Sequence, residues 1–291
     1  METIGFAGLG VMGEPICRNI VTKSGATAQV FDLSPAPMQR LAEYGARPAG
    51  SVGELAAEVD ILFLSLPGGP QLDAVARGPG GILERGRAGL LVVDMTTAPV
   101  GLTREIAGDL AGRGIEWVDA PVARTRAAAE DGTLSIMVGG TDAQFHRVEH
   151  WLAHAAEEVT HCGPLGCGQV AKILNNMVLF ETVVALSEAL ALGTSAGMDP
   201  ELLFRVLSKG SADSFALRNH GMKAMLPGNF PEGAFPTDYA LKDVSYALDL
   251  AREAGIAAPG AELAKARLDV SKAAGFGAEY FPALAKVTGK G

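Results

Sequence analysis

The sequence predicts an α/β protein: a doubly wound, mostly parallel sheet in its first half, joined by a long helix to an all-helical second half. Three observations predict it. Short apolar runs alternate with helical patterns through the first half, the order in which βαβ units are written. A glycine-rich turn, Gly8-Leu9-Gly10-Val11-Met12-Gly13, joins the first run to the first helical pattern. After about Pro164 the strand signals stop and only helical spacing continues. The chain has 291 residues, enough for about two domains, and the change of pattern places them at 1–164 and 165–291.

The elements follow in order. Thr3 to Ala7 reads as a strand and Gly13 to Lys23 as a helix. Ala28 to Phe31 is a second strand, followed by a helix start at Ser34-Pro35. Ser51-Val52-Gly53-Glu54 has the spacing of a capping box and opens a short helix. Ile61 to Leu66 and Leu90 to Asp94 are continuous apolar runs, as strands buried on both faces require. Val100 to Arg113 has helical spacing, and Glu116 to Val118 and Ser135 to Val138 supply further strands. Val170 to Thr194 is too long for a crossover helix and links the two parts. Asp199-Pro200 is an N-cap with proline at the first helical position. Helical patterns then cover Pro200 to Lys209, Thr237 to Glu253 and Gly260 to Ala274.

Composition excludes several classes. Apolar residues make up 48% and charged residues 20%, which is globular rather than disordered. A net charge of −9 argues against nucleic acid or an anionic membrane as the main partner. No run approaches the roughly 20 apolar residues of a spanning helix, and no basic-then-apolar leader opens the sequence. Three cysteines, Cys17, Cys162 and Cys167, fit a reducing compartment, so a cytoplasmic location is expected. His146, His150 and His154 recur at helical spacing and read as a solvated helix face; no metal site is expected.

The turn from Gly8 to Gly13 follows a strand and opens a helix. In that setting the first glycine makes the turn, the second lets a pyrophosphate approach, and the third lets helix and strand pack closely. Gly8, Gly10, Val11, Met12 and Gly13 are therefore candidate cofactor ligands, with the helix N-terminus offering N–H groups to phosphate. Asp32 closes the second strand, where a carboxylate accepts both ribose hydroxyls and repels a 2′-phosphate. Its neighbours Leu33 and Ser34 are not basic, so the expected cofactor is NAD rather than NADP. Leu66-Pro67 and Thr96-Thr97 follow the next two buried strands, at the sheet edge where ligands bind. There Pro67 fixes a turn and the threonine hydroxyls can reach the nicotinamide ribose; ordinary turn chemistry gives the same pattern.

The densest catalytic signal is Gly166-Cys167-Gly168 followed by Lys172 and Asn176. Helical spacing puts Lys172 and Asn176 on one face, where an amine and an amide can meet a substrate hydroxyl or carbonyl. A solvated amphipathic helix presents the same pattern.

Taken together, these segments resemble the β-hydroxyacid dehydrogenase family, related to 3-hydroxyisobutyrate and 6-phosphogluconate dehydrogenases. The resemblance runs over nearly the whole chain. It includes Gly8 to Gly13, Asp119-Ala120-Pro121-Val122, Gly132 to Gly140, Gly166 to Asn176 and Leu241-Lys242-Asp243. It implies a Rossmann-type domain, a connecting helix and a helical domain. It also implies that Lys172 is catalytic, that Asn176, with Asn175 beside it, binds substrate, that Lys242 sits near the cofactor and that Phe235 lines the substrate pocket.

One departure stands out. The family usually has Ser-Gly-Gly after Asp-Ala-Pro-Val, and here those positions are Ala123, Arg124 and Thr125. A guanidinium suits a carboxylate, sulfonate or phosphate, and the Arg-Thr pair is similar to the loop of 3-sulfolactaldehyde reductases in the same family. Arg124 thus either anchors a small anionic substrate with Thr125 or points to solvent and pairs with Glu130 or Asp131; Arg126 is the lesser candidate anchor.

The expected chemistry is NAD-linked oxidation of a small 3-hydroxyacid, or reduction of its aldehyde, with Lys172 moving the hydroxyl proton. A free lysine, with a reference pKa of about 10.4, is a poor base at neutral pH, and burial beside a cationic nicotinamide would lower that value. A 3-sulfolactaldehyde or succinic-semialdehyde type of reductase is the near alternative. An imine reductase shares the architecture but usually lacks the lysine, and a non-catalytic nucleotide-binding module has no need of Lys172 or Asn176. The apolar helical second half favours a homodimer or homotetramer.

Overall fold

The computed structural model describes residues 2–289. These divide into two compact units, the first ending at Lys172 and the second beginning at Ile173. The first unit is built on a nine-stranded sheet. Its strands are β1 (Ile4–Ala7), β2 (Ala28–Phe31), β3 (Arg47–Pro48), β4 (Ile61–Leu64), β5 (Leu91–Asp94), β6 (Glu116–Asp119), β7 (Val122–Ala123), β8 (Leu134–Gly139) and β9 (Ala156–Gly163). The sheet order is β3-β2-β1-β4-β5-β6-β8-β7, with β9 also paired to β8.

The run from β3 to β6 is parallel throughout. Its register aligns Ala7 with Leu64, Leu64 with Asp94 and Asp94 with Asp119. The carboxyl ends of β1, β4, β5 and β6 therefore finish level, which is where an open parallel sheet binds ligands. Strand β8 then runs antiparallel to β6 and β7. The polar strand β9, only part-buried, was not visible in the sequence: Ala156-Glu157-Glu158-Val159-Thr160-His161 lacks clean alternation.

Helices α1 (Gly13–Ser24), α2 (Pro35–Ala42), α3 (Val52–Glu58), α4 (Gly69–Arg77), α5 (Ile82–Arg85), α6 (Val100–Ala111), α7 (Arg126–Asp131) and α8 (Asp142–Leu152) connect the strands. Helices α5 and α7 have too few turns for a readable period, and α4 opens at Gly68 without a side-chain cap to mark it. In β4, Ile61 and Phe63 pack into one apolar cluster with Phe6, Ile16 and Val118. The alternating residues Leu62 and Leu64 pack into a second with Leu72, Ile106 and Trp117. Both faces of the strand are thus dry, which is why its sequence is a continuous apolar run.

Helix α9 (Cys167–Ser195) begins in the first unit and continues into the second. It has 29 residues and is the one helix among the described residues with the length and composition of a membrane span. Its mean hydropathy, not an unbroken apolar run, gives it that composition. Lys172, Asn175, Asn176, Glu181 and Glu188 interrupt it, and Phe180, Val183, Val184 and Leu186 are buried in the core of the second unit. A core helix meets the same criteria of length and composition.

The second unit continues with α10 (Pro200–Leu207), a π-helical segment (Leu217–Met225), α11 (Thr237–Ala254) and α12 (Pro259–Ser271). Phe204, Leu217, Val244, Leu268 and Phe281 pack with the buried face of α9. Two isolated bridges, Glu232 with Glu279 and Pro236 with Tyr280, are the only β pairing among its described residues.

Candidate active site

The turn after β1 is built as a phosphate cradle. Gly8 has φ +88, and its N–H donates to the Phe31 carbonyl at 3.0 Å. A Cβ on Gly8 would lie 2.2 Å from the Ser65 carbonyl oxygen, and one on Gly13 would lie 2.0 Å from that of Gly8. Only glycine lets β1, the turn and α1 approach so closely. A Cβ on Gly10, by contrast, would meet nothing within 4 Å, so the crest of the turn is open. No side chain caps the N-terminus of α1 at Met12. Within the helix Glu14 already donates to the Gly10 carbonyl at 3.1 Å and Pro15 has no N–H, so it is the backbone of the turn itself, open at Gly10 and lying at a helix N-terminus, that suits a pyrophosphate.

Asp32 holds this turn to the end of β2. Its Oδ2 accepts the Leu9 N–H at 2.7 Å, and its Oδ1 accepts the Ser34 N–H at 2.8 Å. A cavity of about 520 Å³ lies beside it, lined by Gly10, Val11, Arg18, Arg40 and Arg126 among others. That these arginines line the cavity beside Asp32, Arg126 included, was not visible in the sequence, because they come from α1, α2 and α7 rather than from the residues next to it. Arg40 is held by Glu14 through two hydrogen bonds of 2.6 and 2.7 Å.

At the level ends of β4 and β5, Thr96 is buried and its hydroxyl accepts the Leu66 N–H at 3.0 Å. Thr96 therefore ties the Leu66-Pro67 turn to the β5 loop instead of reaching outward; the half-buried Thr97 is the more exposed of the pair. Asp94 lies beneath them, fully buried. Its Oδ1 accepts the Thr96 N–H at 2.9 Å, and its Oδ2 has no hydrogen-bond partner. Burial, aided by the nearby Asp119 charge and opposed by the hydrogen bonds from Thr96, pushes the Asp94 carboxyl up to about 8.

Asp119, also fully buried, has better company. Its Oδ1 accepts the Gly166 N–H and its Oδ2 the Gln169 N–H, each at 2.7 Å. Burial pushes its carboxyl upward while these N–H groups pull it back. The Gln169 side chain completes the join: its Oε1 accepts the Ala98 N–H at 3.1 Å and its Nε2 donates to the Thr96 carbonyl at 2.6 Å. The sequence reading assigned no role to Asp94, Asp119 or Gln169; the Asp119-Ala120-Pro121-Val122 motif was the available signal.

Lys172 follows Gln169 by three residues on α9 and is half-buried. Further along the helix, in the second unit, Asn176 is buried and donates from Nδ2 to Asp243 Oδ2 at 2.7 Å. The exposed Asn175 donates to Asn176 Oδ1 at 3.1 Å. Lys242 Nζ lies 2.9 Å from Asp243 Oδ1 and sits over the rings of Tyr239 and Tyr246. Asp243 thus links Asn176 with Lys242, a role the sequence did not reveal. Phe235 belongs to an aromatic cluster, stacked on Phe180 at 6.1 Å and edge-on to Phe281 at 5.7 Å.

The departing loop is unusual. Arg124 has φ +85, the only positive φ at a non-glycine among the described residues, a backbone conformation that favours glycine. Its Nη1 donates to the Thr133 carbonyl at 2.7 Å and pairs with Glu157 on β9. Glu130, one of the two partners considered from sequence, pairs instead with Arg126 at 2.8 Å. The Thr125 hydroxyl accepts the Ala128 N–H at 3.3 Å and caps α7.

Comparison with known proteins covers both units. Residues 3–163 match the NAD binding domain of 6-phosphogluconate dehydrogenase. Residues 166–288 match a family described as NAD-binding of NADP-dependent 3-hydroxyisobutyrate dehydrogenase. The chain is 36% identical over 284 residues to a 2-(hydroxymethyl)glutarate dehydrogenase of Eubacterium barkeri, covering 98% of this chain and 94% of that protein. It is 34% identical over 270 residues to 3-hydroxyisobutyrate dehydrogenase of Pseudomonas aeruginosa, covering 91% and 90%. Among solved structures, 3-hydroxyisobutyrate dehydrogenase of Mycobacterium tuberculosis with L-serine superposes with a TM-score of 0.89 at 30% identity, over 99% of both chains. An imine reductase variant from Myxococcus stipitatus in complex with NAD+ has a TM-score of 0.67 at 19% identity over 98% and 99%, a likeness of fold alone.

Asp94 generates a pH test. Its pKa is higher in the folded chain than the usual carboxylate value, so the folded state binds a proton that the unfolded state releases. The stability this supplies is complete below the ordinary carboxylate range and is lost as pH rises through about 8. Asp94→Asn removes the titration. The melting temperature of the variant relative to wild type is expected to improve steadily between about pH 5 and about pH 9; a pH-independent difference in calorimetry contradicts the assignment.

Proposed function

The chain belongs to the β-hydroxyacid dehydrogenase family, and from that premise we propose that it oxidises a small anionic 3-hydroxyacid, or reduces the matching aldehyde, with NAD. It is an oxidoreductase with an NAD-binding domain. We assign residues 1–164 to dinucleotide binding and 165–291 to substrate binding and assembly. The reading rests on one observation above the others. Lys172 sits at the start of a helix whose first turn is tied by hydrogen bonds to the end of β6 and to the loop that follows β5.

The cofactor supplies a carbon-bound hydride donor or acceptor. The cradle of Gly8, Gly10, Val11, Met12 and Gly13 would hold its pyrophosphate, and Asp32 its adenine ribose. Leu66, Pro67 and Thr97 shape the nicotinamide side, with Thr96 fixing the Leu66 turn from beneath. Lys172 takes the proton from the substrate hydroxyl during oxidation and returns it during reduction. Asn176, its amide oriented by Asp243, and Asn175 hold the reacting oxygen. The family resemblance assigns Lys242 to cofactor contact and Phe235 to the substrate pocket.

Carboxylate-bearing relatives such as 3-hydroxyisobutyrate and 2-(hydroxymethyl)glutarate dehydrogenases favour a carboxylate substrate. Arg124 and Thr125 are the proposed anchor of that group. Because Arg124 Nη1 is already engaged by Glu157 and Thr133, the substrate would meet the Nε–Nη2 edge of the guanidinium, whose planar fork suits a carboxylate or a sulfonate. The free cysteines support a cytoplasmic location. Exposed Leu174, Val178 and Leu192 on α9, with Val206 on α10, support assembly into a homodimer or homotetramer.

Three measurements test this reading. Lys172→Ala is expected to lower kcat by roughly 10²–10⁴-fold with cofactor affinity nearly unchanged. Fluorescence titration is expected to give tighter binding of NADH than of NADPH, because Asp32 repels a 2′-phosphate; equal affinities would transfer control to Arg18, Arg40 and Arg126. Arg124→Ala is expected to raise KM for the anionic substrate about tenfold or more, and to leave an uncharged alcohol of equal length little changed. Glu157→Gln separates the roles of Arg124: an equal loss in both variants would make the ion pair structural, and a loss confined to Arg124→Ala would support anchoring.

A further inference from the structure

The proposed proton-transfer group is not positioned by its own contacts alone. We propose that Asp119 is a positioning residue for Lys172: its carboxylate clamps the first turn of α9 to the end of β6 and so sets where the lysine stands over the carboxyl edge of the sheet. This rests on the reading of Lys172 as the proton-transfer residue.

The geometry carries it. Each carboxylate oxygen of Asp119 accepts a different backbone N–H, from Gly166 and from Gln169. Two acceptors facing two donors are what an ionised carboxylate offers; a protonated one would turn an O–H towards an N–H. Gly166 and Gln169 bracket the start of a 29-residue helix, whose N-terminus attracts negative charge. The carboxylate fills a slot made by two glycines. A Cβ on Gly139 would come 2.4 Å from Asp119 Oδ1, and a Cβ on Gly168 2.8 Å from Asp119 Oδ2. The Gly168 Cβ would also lie 2.3 Å from the Met137 carbonyl oxygen. The helix therefore lies against β8 and the carboxylate at once, with no room to slide.

Gln169 makes the second half of the clamp. Its backbone N–H goes to Asp119, and its side chain goes to Thr96 and Ala98 on the β5 loop. Thr96 in turn fixes Leu66. Lys172 is three residues further, a rise of about 4.5 Å on the same side of the helix. Its height and rotation relative to the cofactor loops thus follow from two buried residues whose hydrogen bonds go to backbone groups. A misplacement of about 1 Å at a reacting group can cost on the order of 10²-fold in rate.

The test uses Asp119→Asn and Gln169→Met, each alone and combined with Lys172→Ala. Asp119→Asn keeps the shape but sets an amide N–H against one backbone N–H. It is expected to lower kcat by roughly 10²-fold, with KM for the hydroxyacid and Kd for NADH changed less than about twofold. Gln169→Met is expected to lower kcat less, with the same split between kcat and KM. In the Lys172→Ala background neither substitution is expected to lower the slow residual rate further, because both act through the lysine. A residual rate that falls again, or a KM and Kd that rise in step with the loss of kcat, would show general damage and overturn the proposal. If Asp119→Asn does not fold, Gln169→Met decides by the same criteria, and wild-type kcat in that variant overturns the clamp. The two readings fail separately. Lys172→Ala retaining more than about a tenth of wild-type kcat removes the lysine from proton transfer; an inactive Lys172→Ala beside fully active clamp variants removes only the positioning role.

Discussion

Two adjacent aspartates close the parallel sheet, and the arrangement of the active edge depends on how their charge is accommodated. Asp94 and Asp119 face each other in register at the ends of β5 and β6, both fully buried. Like charges side by side in a dry site cannot both be ionised cheaply. The structure resolves this by unequal solvation. Asp119 receives the N–H groups that open α9, whereas Asp94 has Thr96 on one oxygen and nothing on the other. One carboxyl keeps its charge against a helix N-terminus, and the other holds a proton up to about pH 8. Because the donors that satisfy Asp119 belong to the helix bearing Lys172, the electrostatic solution is also a mechanical one.

The same economy governs the loop that departs from the family pattern. Arg124 retains a backbone conformation natural to glycine, which costs a residue with a Cβ on the order of 1 kcal/mol or more. The ion pair with Glu157 and the hydrogen bond to Thr133 offset part of that cost, although Glu157 is well exposed and a solvated pair contributes little. A strained residue held by a weak pair is explicable if the guanidinium gains a further partner when substrate binds. Strain of this kind recurs at ligand clamps, which is why the loop is read as part of the specificity apparatus rather than as a surface decoration.

Much of this was legible in the sequence, and the limits have physical causes. The parallel strands showed themselves because burial on both faces demands uninterrupted apolar residues, as in Ile61 to Leu64. The cradle was legible because only glycine fits at Gly8 and Gly13. Strand β9 was not, since a polar edge strand has no core to impose a period, and with β9 hidden the partner of Arg124 was hidden too. Asp119 and Gln169 were visible only as letters in motifs. Their function depends on which N–H groups a fold brings opposite them across 47 and 50 residues of chain, and pattern along the chain does not report that separation. In α9, Lys172, Asn175 and Asn176 break the first turns and the buried stripe from Phe180 to Leu186 lies further along, so no single unbroken apolar run marks it as a core helix.

Cofactor discrimination shows the same contrast between local and assembled signals. Asp32 directly follows β2, and its two oxygens already serve the Leu9 and Ser34 N–H groups. That bonding fixes the carboxylate with its remaining lone pairs towards the cavity, a preorganised acceptor for ribose hydroxyls. Arg18, Arg40 and Arg126 line the same cavity, and on charge alone they would welcome a 2′-phosphate. Arg40 is neutralised by both oxygens of Glu14 and Arg126 by Glu130, while Arg18 is turned to the Glu130 carbonyl. A phosphate would have to break those pairs and still approach the fixed charge of Asp32. The proposed preference for NAD would therefore rest on the pairing of Arg40 and Arg126 as much as on one aspartate, and loosening Glu14 or Glu130 would erode it without any change at Asp32.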